Sequence, residues 1–146
     1  MTSSEYVESD MRFIFDEDSV FLLESESFFT KMQHVKACDF IWLKKRKAGS
    51  SLLFIEAKSS APMQSERLDD YLQQIHDKFC HSLFLYIGLL FNRCKEIPEN
   101  LPDTMRLKSN LKKKIKCVLV VRQHKEEWLQ PLQEALRKKI KPLRRR

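Results

Sequence analysis

The sequence predicts an α/β domain with a mixed central β-sheet flanked by helices. Three observations carry that reading. Two apolar runs of strand length, Cys38–Leu43 and Leu52–Ala57, flank a polar turn that contains Gly49, which is the pattern of a β-hairpin. From Leu68 onward apolar residues recur every three or four positions, through Leu72, Ile75, Phe79, Leu83, Tyr86 and Leu90, the period of a helix. The β-branched run Ile115–Val121 follows, and the intervening helix makes it parallel to the second strand of the hairpin.

Taken in order, residues 1–10 are polar and acidic and read as a loose terminus. Phe13–Phe15 and Val20–Leu23 are short apolar runs on either side of Asp16-Glu17-Asp18. They fit two strands, or a strand and then a helix capped by Asp18 or Ser19. Phe28–Met32 fits a short helix or turn. The hairpin is next, from Cys38 to Ser60, with Lys44–Lys47 at its tip. Ser60 or Ser65 caps the long helix, and Pro62 lies near its first turn. That helix runs to Phe91 or bends at Gly88. Lys95–Asn110, with Pro98 and Pro102, reads as a linker. Ile115–Val121 then reads as a buried strand. Trp128, Leu129, Leu132, Ala135, Leu136 and Ile140 mark one side of a last helix. With 146 residues, the chain reads as one domain over 1–146, with 1–10 and 141–146 as flexible ends.

Composition narrows the functional classes. Only two glycines occur, and neither a P-loop nor a dinucleotide fingerprint is present. The formal charge is +7, and it is unevenly spread. Residues 1–30 hold Glu5, Glu8, Asp10, Asp16, Glu17, Asp18, Glu24 and Glu26 against Arg12, whereas residues 104–146 are rich in Lys and Arg. A basic half suits a polyanion partner or a solvated face. Lys44, Lys45, Arg46 and Lys47, with Lys112, Lys113 and Lys114, are the candidate nucleic-acid contacts. Cys38, Cys80, Cys94 and Cys117 show no zinc-ligand spacing. Together with an N-terminus unlike a secretory signal, they point to a reduced, cytoplasmic protein. The longest apolar run, Leu83–Phe91, is too short to span a bilayer.

The polar exceptions within the hairpin carry the chemistry. Side chains alternate along a strand, so Glu56 and Lys58 share a face with Leu52 and Phe54. Antiparallel pairing brings Asp39 to that same face when it lies opposite either Glu56 or Lys58, and a one-residue slip sends it to the other face. Two opposed acids repel unless a divalent cation lies between them. Mg²⁺ suits such oxygen ligands and needs only one or two carboxylates besides water and a substrate phosphate. The backbone carbonyl of Ala57 offers a further oxygen, and Lys58 lies where it can orient a water or balance phosphate charge.

Asp39 followed by Glu56-Ala57-Lys58 on apolar strands resembles the PD-(D/E)xK nuclease superfamily, the restriction-endonuclease-like fold. The resemblance implies Asp39 and Glu56 as ligands of Mg²⁺, with Mn²⁺ as a substitute, and Lys58 as the catalytic lysine. It implies a nuclease acting on DNA. A chain of 146 residues leaves little room for a separate recognition domain, which points to a homodimer or protein partner supplying specificity. Cys38 stands where the name-giving proline would be. The family often adds an acid from a helix ahead of the sheet, for which Glu24 is the first candidate and Glu17 the second. A Gln-x-x-x-Tyr signature carried by some branches is absent: Asp77 follows Gln73 and Lys78 follows Gln74 at that spacing. The other reading is a nuclease-fold module that binds nucleic acid or protein without cleaving.

Overall fold

The expected hairpin forms the middle of a four-stranded mixed sheet. A computed structural model describes residues 2–23, 36–93 and 97–144. In it, β1 (Ser3–Glu8) and β2 (Met11–Asp16) make a separate two-stranded sheet. The strands β3 (Val20–Leu22), β4 (Phe40–Arg46), β5 (Gly49–Ser60) and β6 (Lys114–Gln123) make the main one, in that spatial order. The helices are α1 (Ser65–Leu90) and α2 (Glu126–Arg144). β4 runs antiparallel to both β3 and β5, and β6 runs parallel to β5 after the α1 crossover. Phe40 faces Ile55, and the Asp39 amide donates to the Ile55 carbonyl at 3.0 Å. Asp39 therefore lies level with Glu56, the first of the two registers that build a site.

Alternation along β5 feeds two cores. Leu52 and Phe54 point with Ile41 and Leu43 toward the helices, where Leu72, Ile75, Phe79 and Tyr86 of α1 and Leu132, Leu136 and Ile140 of α2 close over them. Leu53 and Ile55 point the other way with Phe40, under Tyr6, Phe13 and Phe15 of the β1–β2 hairpin. Phe40 is at 5.1 Å from the Phe13 ring and 5.2 Å from the Phe15 ring, and such pairs each add about 1 kcal/mol beyond their burial. Both helices thus lie on one face of the sheet, not on both, and the N-terminal hairpin covers the other.

That hairpin corrects the reading of residues 1–10 as a loose terminus. Tyr6 alternates with exposed Glu5 and Val7, and its ring packs edge-on to Phe40 at 5.9 Å. The two-residue turn Ser9-Asp10 has φ of 51° and 59°, the left-handed pair that suits the twist of a tight hairpin. The acidic composition hid a period-2 pattern with few apolar members.

Four further expectations change. Lys44, Lys45 and Arg46 belong to β4 itself, because pairing continues to Arg46 opposite Gly49; only Lys47 and Ala48 form the turn. Gly49, at φ +114°, takes a conformation that side-chain-bearing residues rarely adopt. β6 is half-buried and forms the sheet edge, so it is not a buried central strand. The linker is anchored: Leu101, Met105 and Asn110 are buried, the Tyr86 hydroxyl donates to the Met105 carbonyl at 2.7 Å, and the Asn110 amide donates to the Tyr86 oxygen at 3.2 Å. α1 starts after Gln64, with no side-chain cap, and continues through Gly88. The segment expected at Phe28–Met32 lies outside the described residues, as does Cys94.

Candidate active site

The carboxyl end of β5 holds the candidate chemistry. Glu56 is 1% exposed and Asp39 5%. They face each other from adjacent strands, on the side where α1 packs. The Asp39 Oδ2 accepts the Ala57 amide at 2.7 Å, a cross-strand hydrogen bond that fixes its carboxylate beside Glu56. Residue parity therefore turns the aspartate inward, and the free amide at Ala57 holds it there.

Glu56 is under electrostatic tension. Burial raises its carboxyl pKa to about 7, and the Asp39 charge adds to that rise while Lys78 opposes it. Lys78 Nζ is 2.5 Å from Glu56 Oε2, and Lys58 Nζ is 3.7 Å from the same atom. Glu56 Oε1 has no donor among the described residues. A buried carboxylate oxygen without a donor calls for a proton or a cation.

Two lysines therefore serve one glutamate. Lys58 is the more open, at 33% side-chain exposure against 17% for Lys78. It projects from the strand toward solvent, as a group meeting substrate must. Lys78 reaches in from α1. It follows Ile75 by three residues, within reach of the sheet-facing side. Ser82, a turn later, accepts the Cys38 amide at 2.8 Å and donates to the Lys78 carbonyl at 2.6 Å, so that turn is tied to the start of β4.

The N-terminal hairpin adds to the site. The Ser9 hydroxyl donates to the Ala57 carbonyl at 3.0 Å, so the backbone oxygen proposed as a metal ligand already has a donor. Glu8, beside that turn, has a carboxyl pKa raised first by burial and then by the charge of Asp39, with Lys78 pulling it down. Glu8 is thus an acid that feels the Asp39 charge and that sequence reasoning missed. Its only signal was its place one residue before a Ser-Asp turn. Glu17 accepts from the Ser4 hydroxyl at the open end of the same hairpin, a six-residue strand away from the turn, or roughly 17–20 Å. It does not join Asp39 and Glu56. Glu24 lies outside the described residues.

Tyr71 of α1 borders the site. Its hydroxyl donates to the Ser60 carbonyl at 3.1 Å, and burial, with the Glu56 charge, pushes its pKa up to about 12. Cys38 is buried behind the pair, with its thiol pKa raised by burial. Cys38, Cys80 and Cys117 are free thiols.

The donor set matches a hard cation in kind: two buried carboxylates, one with a donorless oxygen. Among the described residues no group of three His, Cys, Asp or Glu side chains is arranged to hold a metal ion. The fit is to an ion that takes two carboxylates and completes its shell with water and substrate oxygens.

The candidate nucleic-acid residues lie elsewhere. Lys44 pairs across from Ser51, and Ser51 from Lys114. This row is five residues from Glu56 along β5, roughly 17 Å. Lys45 falls on the opposite face from Lys44 by alternation, Lys47 is in the turn, Lys112 ends a 3-10 turn, and Lys113 donates to Asn110 Oδ1 at 2.9 Å.

Comparison with protein-family models, with curated proteins and with solved structures finds no match. Among the described residues, no helix is long and apolar enough to cross a membrane.

Proposed function

We propose that this protein is a Mg²⁺-dependent nuclease of the restriction-endonuclease-like type, hydrolysing phosphodiester bonds in DNA. One observation carries the reading: Asp39 and Glu56, both buried, are level on adjacent strands, and Lys58 projects from the same face two residues on. The mixed sheet with its helical crossover also supports it.

Asp39 and Glu56 would hold the ion. Held by these two carboxylates, Mg²⁺ would supply Lewis acidity toward a phosphoryl oxygen and a more acidic bound water. The chain's own groups do the rest. The Ala57 amide keeps Asp39 oriented, which spares reorganisation during the reaction. Lys58, one-third exposed, meets the phosphate and balances charge that grows on it. Lys78 favours the ionised form of Glu56 and offsets part of the cost of its burial.

The test is cleavage of plasmid and linear DNA with Mg²⁺ by wild type, Glu56→Gln and Lys58→Ala. Loss in both variants is expected. Cleavage that survives both substitutions excludes this chemistry.

A second reading is a nuclease-fold module that binds nucleic acid or a protein partner without cleaving. The Ser9 bond to the Ala57 carbonyl and the Lys78–Glu56 ion pair favour it, since both occupy oxygens a metal would use. No cleavage of any substrate by the wild type selects that reading.

A further inference from the structure

The sheet face under the N-terminal hairpin is covered only in part. Phe13, Phe15 and Tyr6 pack over Phe40, and Phe15 reaches Trp42 at 5.2 Å. Beyond Trp42 the same face continues as the row Lys44, Ser51 and Lys114 and then the pair Arg46 and Gly49. Lys116 stands level with Leu53 and Trp42, on the same face. Four cations from β4 and β6 therefore lie on one face of three adjacent strands.

We propose that this end of the sheet is a binding surface for a nucleic-acid backbone, separate from the Asp39–Glu56 centre. Lys44, Arg46, Lys114 and Lys116 are its phosphate contacts. Rows two residues apart lie about 6.6 Å apart along a strand, and β4 and β6 lie about 9.6 Å apart across β5, so the charges are spread to meet successive phosphates. Lys116 is the residue the sequence did not single out, because it lies inside a β-branched run.

Two observations point to a polyanion. Several cations elsewhere have a carboxylate beside them: Arg12 has Glu5, Lys139 has Asp69 and Arg122 has Asp10. None of these four has a carboxylate partner among the described residues. The cations also crowd one another: the Lys116 pKa is lowered first by Arg46, then by slight desolvation, with Lys114 and Lys44 adding to the fall. Mutual repulsion without a carboxylate to relieve it is the arrangement that an incoming chain of phosphates relaxes. Lys44 also lies over the Trp42 ring at 5.4 Å, which holds its stem against the sheet.

The surface is on the opposite face from Glu56 and Lys58, so it does not hold the scissile group. It holds flanking backbone. The inference rests on the proposed activity only in naming nucleic acid as the polyanion.

The experiment is equilibrium binding to a duplex DNA of about 20 base pairs in EDTA, where cleavage plays no part. Four phosphate contacts give a slope of about −3.6 in log K against log salt, or roughly a hundredfold loss between 50 and 200 mM. Lys44→Gln with Lys116→Gln should weaken binding about tenfold or more and flatten the slope by about 1.8. Arg137→Gln with Lys138→Gln, on the exposed side of α2, removes the same net charge and should change little. All variants are checked by circular dichroism; Lys44 and Lys116 are half-buried and Arg137 and Lys138 exposed, and a spectrum matching wild type is required of each. Equal losses in both pairs would show a net-charge effect, and a flat salt profile or absent binding would show no phosphate contact; either overturns the proposal. Loss of cleavage with intact binding would count against the reaction alone.

Discussion

Glu56→Gln should make the protein more stable at alkaline pH while leaving it nearly unchanged in mild acid. The Glu56 carboxyl goes from an ordinary 4.5 to about 7 on folding. The folded state therefore binds this proton more tightly than the unfolded chain does. Its contribution to stability is full below about pH 4.5, declines as pH rises to about 7 and is gone above that. A shift of about 2.5 pH units at about 1.36 kcal/mol each gives about 3 kcal/mol. Glutamine keeps the shape and an acceptor for Lys78 and removes the buried charge. Urea unfolding at about pH 8 should show the variant ahead by about 3 kcal/mol, and at about pH 5 the gap should shrink to under about 1 kcal/mol. In a chain of 146 residues the alkaline gain should appear as a melting temperature higher by roughly 6–12 °C. Other titrating groups cancel in the comparison. A variant equally or less stable than wild type at both pH values would refute the reasoning, because Glu56 would then be paying nothing for its burial.

Other perturbations test the surroundings of the site. Lys78→Met removes the cation 2.5 Å from Glu56 and should cost more stability at about pH 8 than at about pH 5, with a difference on the order of 1–3 kcal/mol in paired unfolding curves. Ser9→Ala breaks the hydroxyl bond to Ala57 and should cost about 1 kcal/mol, read by thermal melting. Phe40→Ala empties the core under the hairpin and should cost about 3–5 kcal/mol, with proteolysis then cutting the β1–β2 segment first.

The parts of the fold read most directly from the sequence were those where one period dominates. The hairpin, α1, the parallel β6 and α2 each carry enough apolar residues for the period to stand out. Strand parity also reduced the Asp39 question to a choice of registers, and the Asp39–Ile55 bond selects the one level with Glu56. What stayed hidden depends on tertiary contact. The β1–β2 hairpin has an inner face of Tyr6, Phe13 and Phe15 whose value comes from Phe40, a residue far along the chain. Lys78 looked like any polar helix residue until α1 was laid across β5, because a helix's facing direction is set by what it packs against. Glu8 reaches the site only through a turn whose two left-handed residues, Ser9 and Asp10, carry no glycine to announce it. Lys44 and Arg46 looked like a solvated tip because charge masked the continuing strand.

The most direct measurement is a Mn²⁺ titration followed by electron paramagnetic resonance, comparing wild type with Asp39→Asn and Glu56→Gln. If both carboxylates hold one divalent ion, wild type should bind a single equivalent that excess Mg²⁺ displaces, and each variant should lose it. Binding that persists unchanged in both variants, or a wild type that takes up no Mn²⁺, would contradict that arrangement.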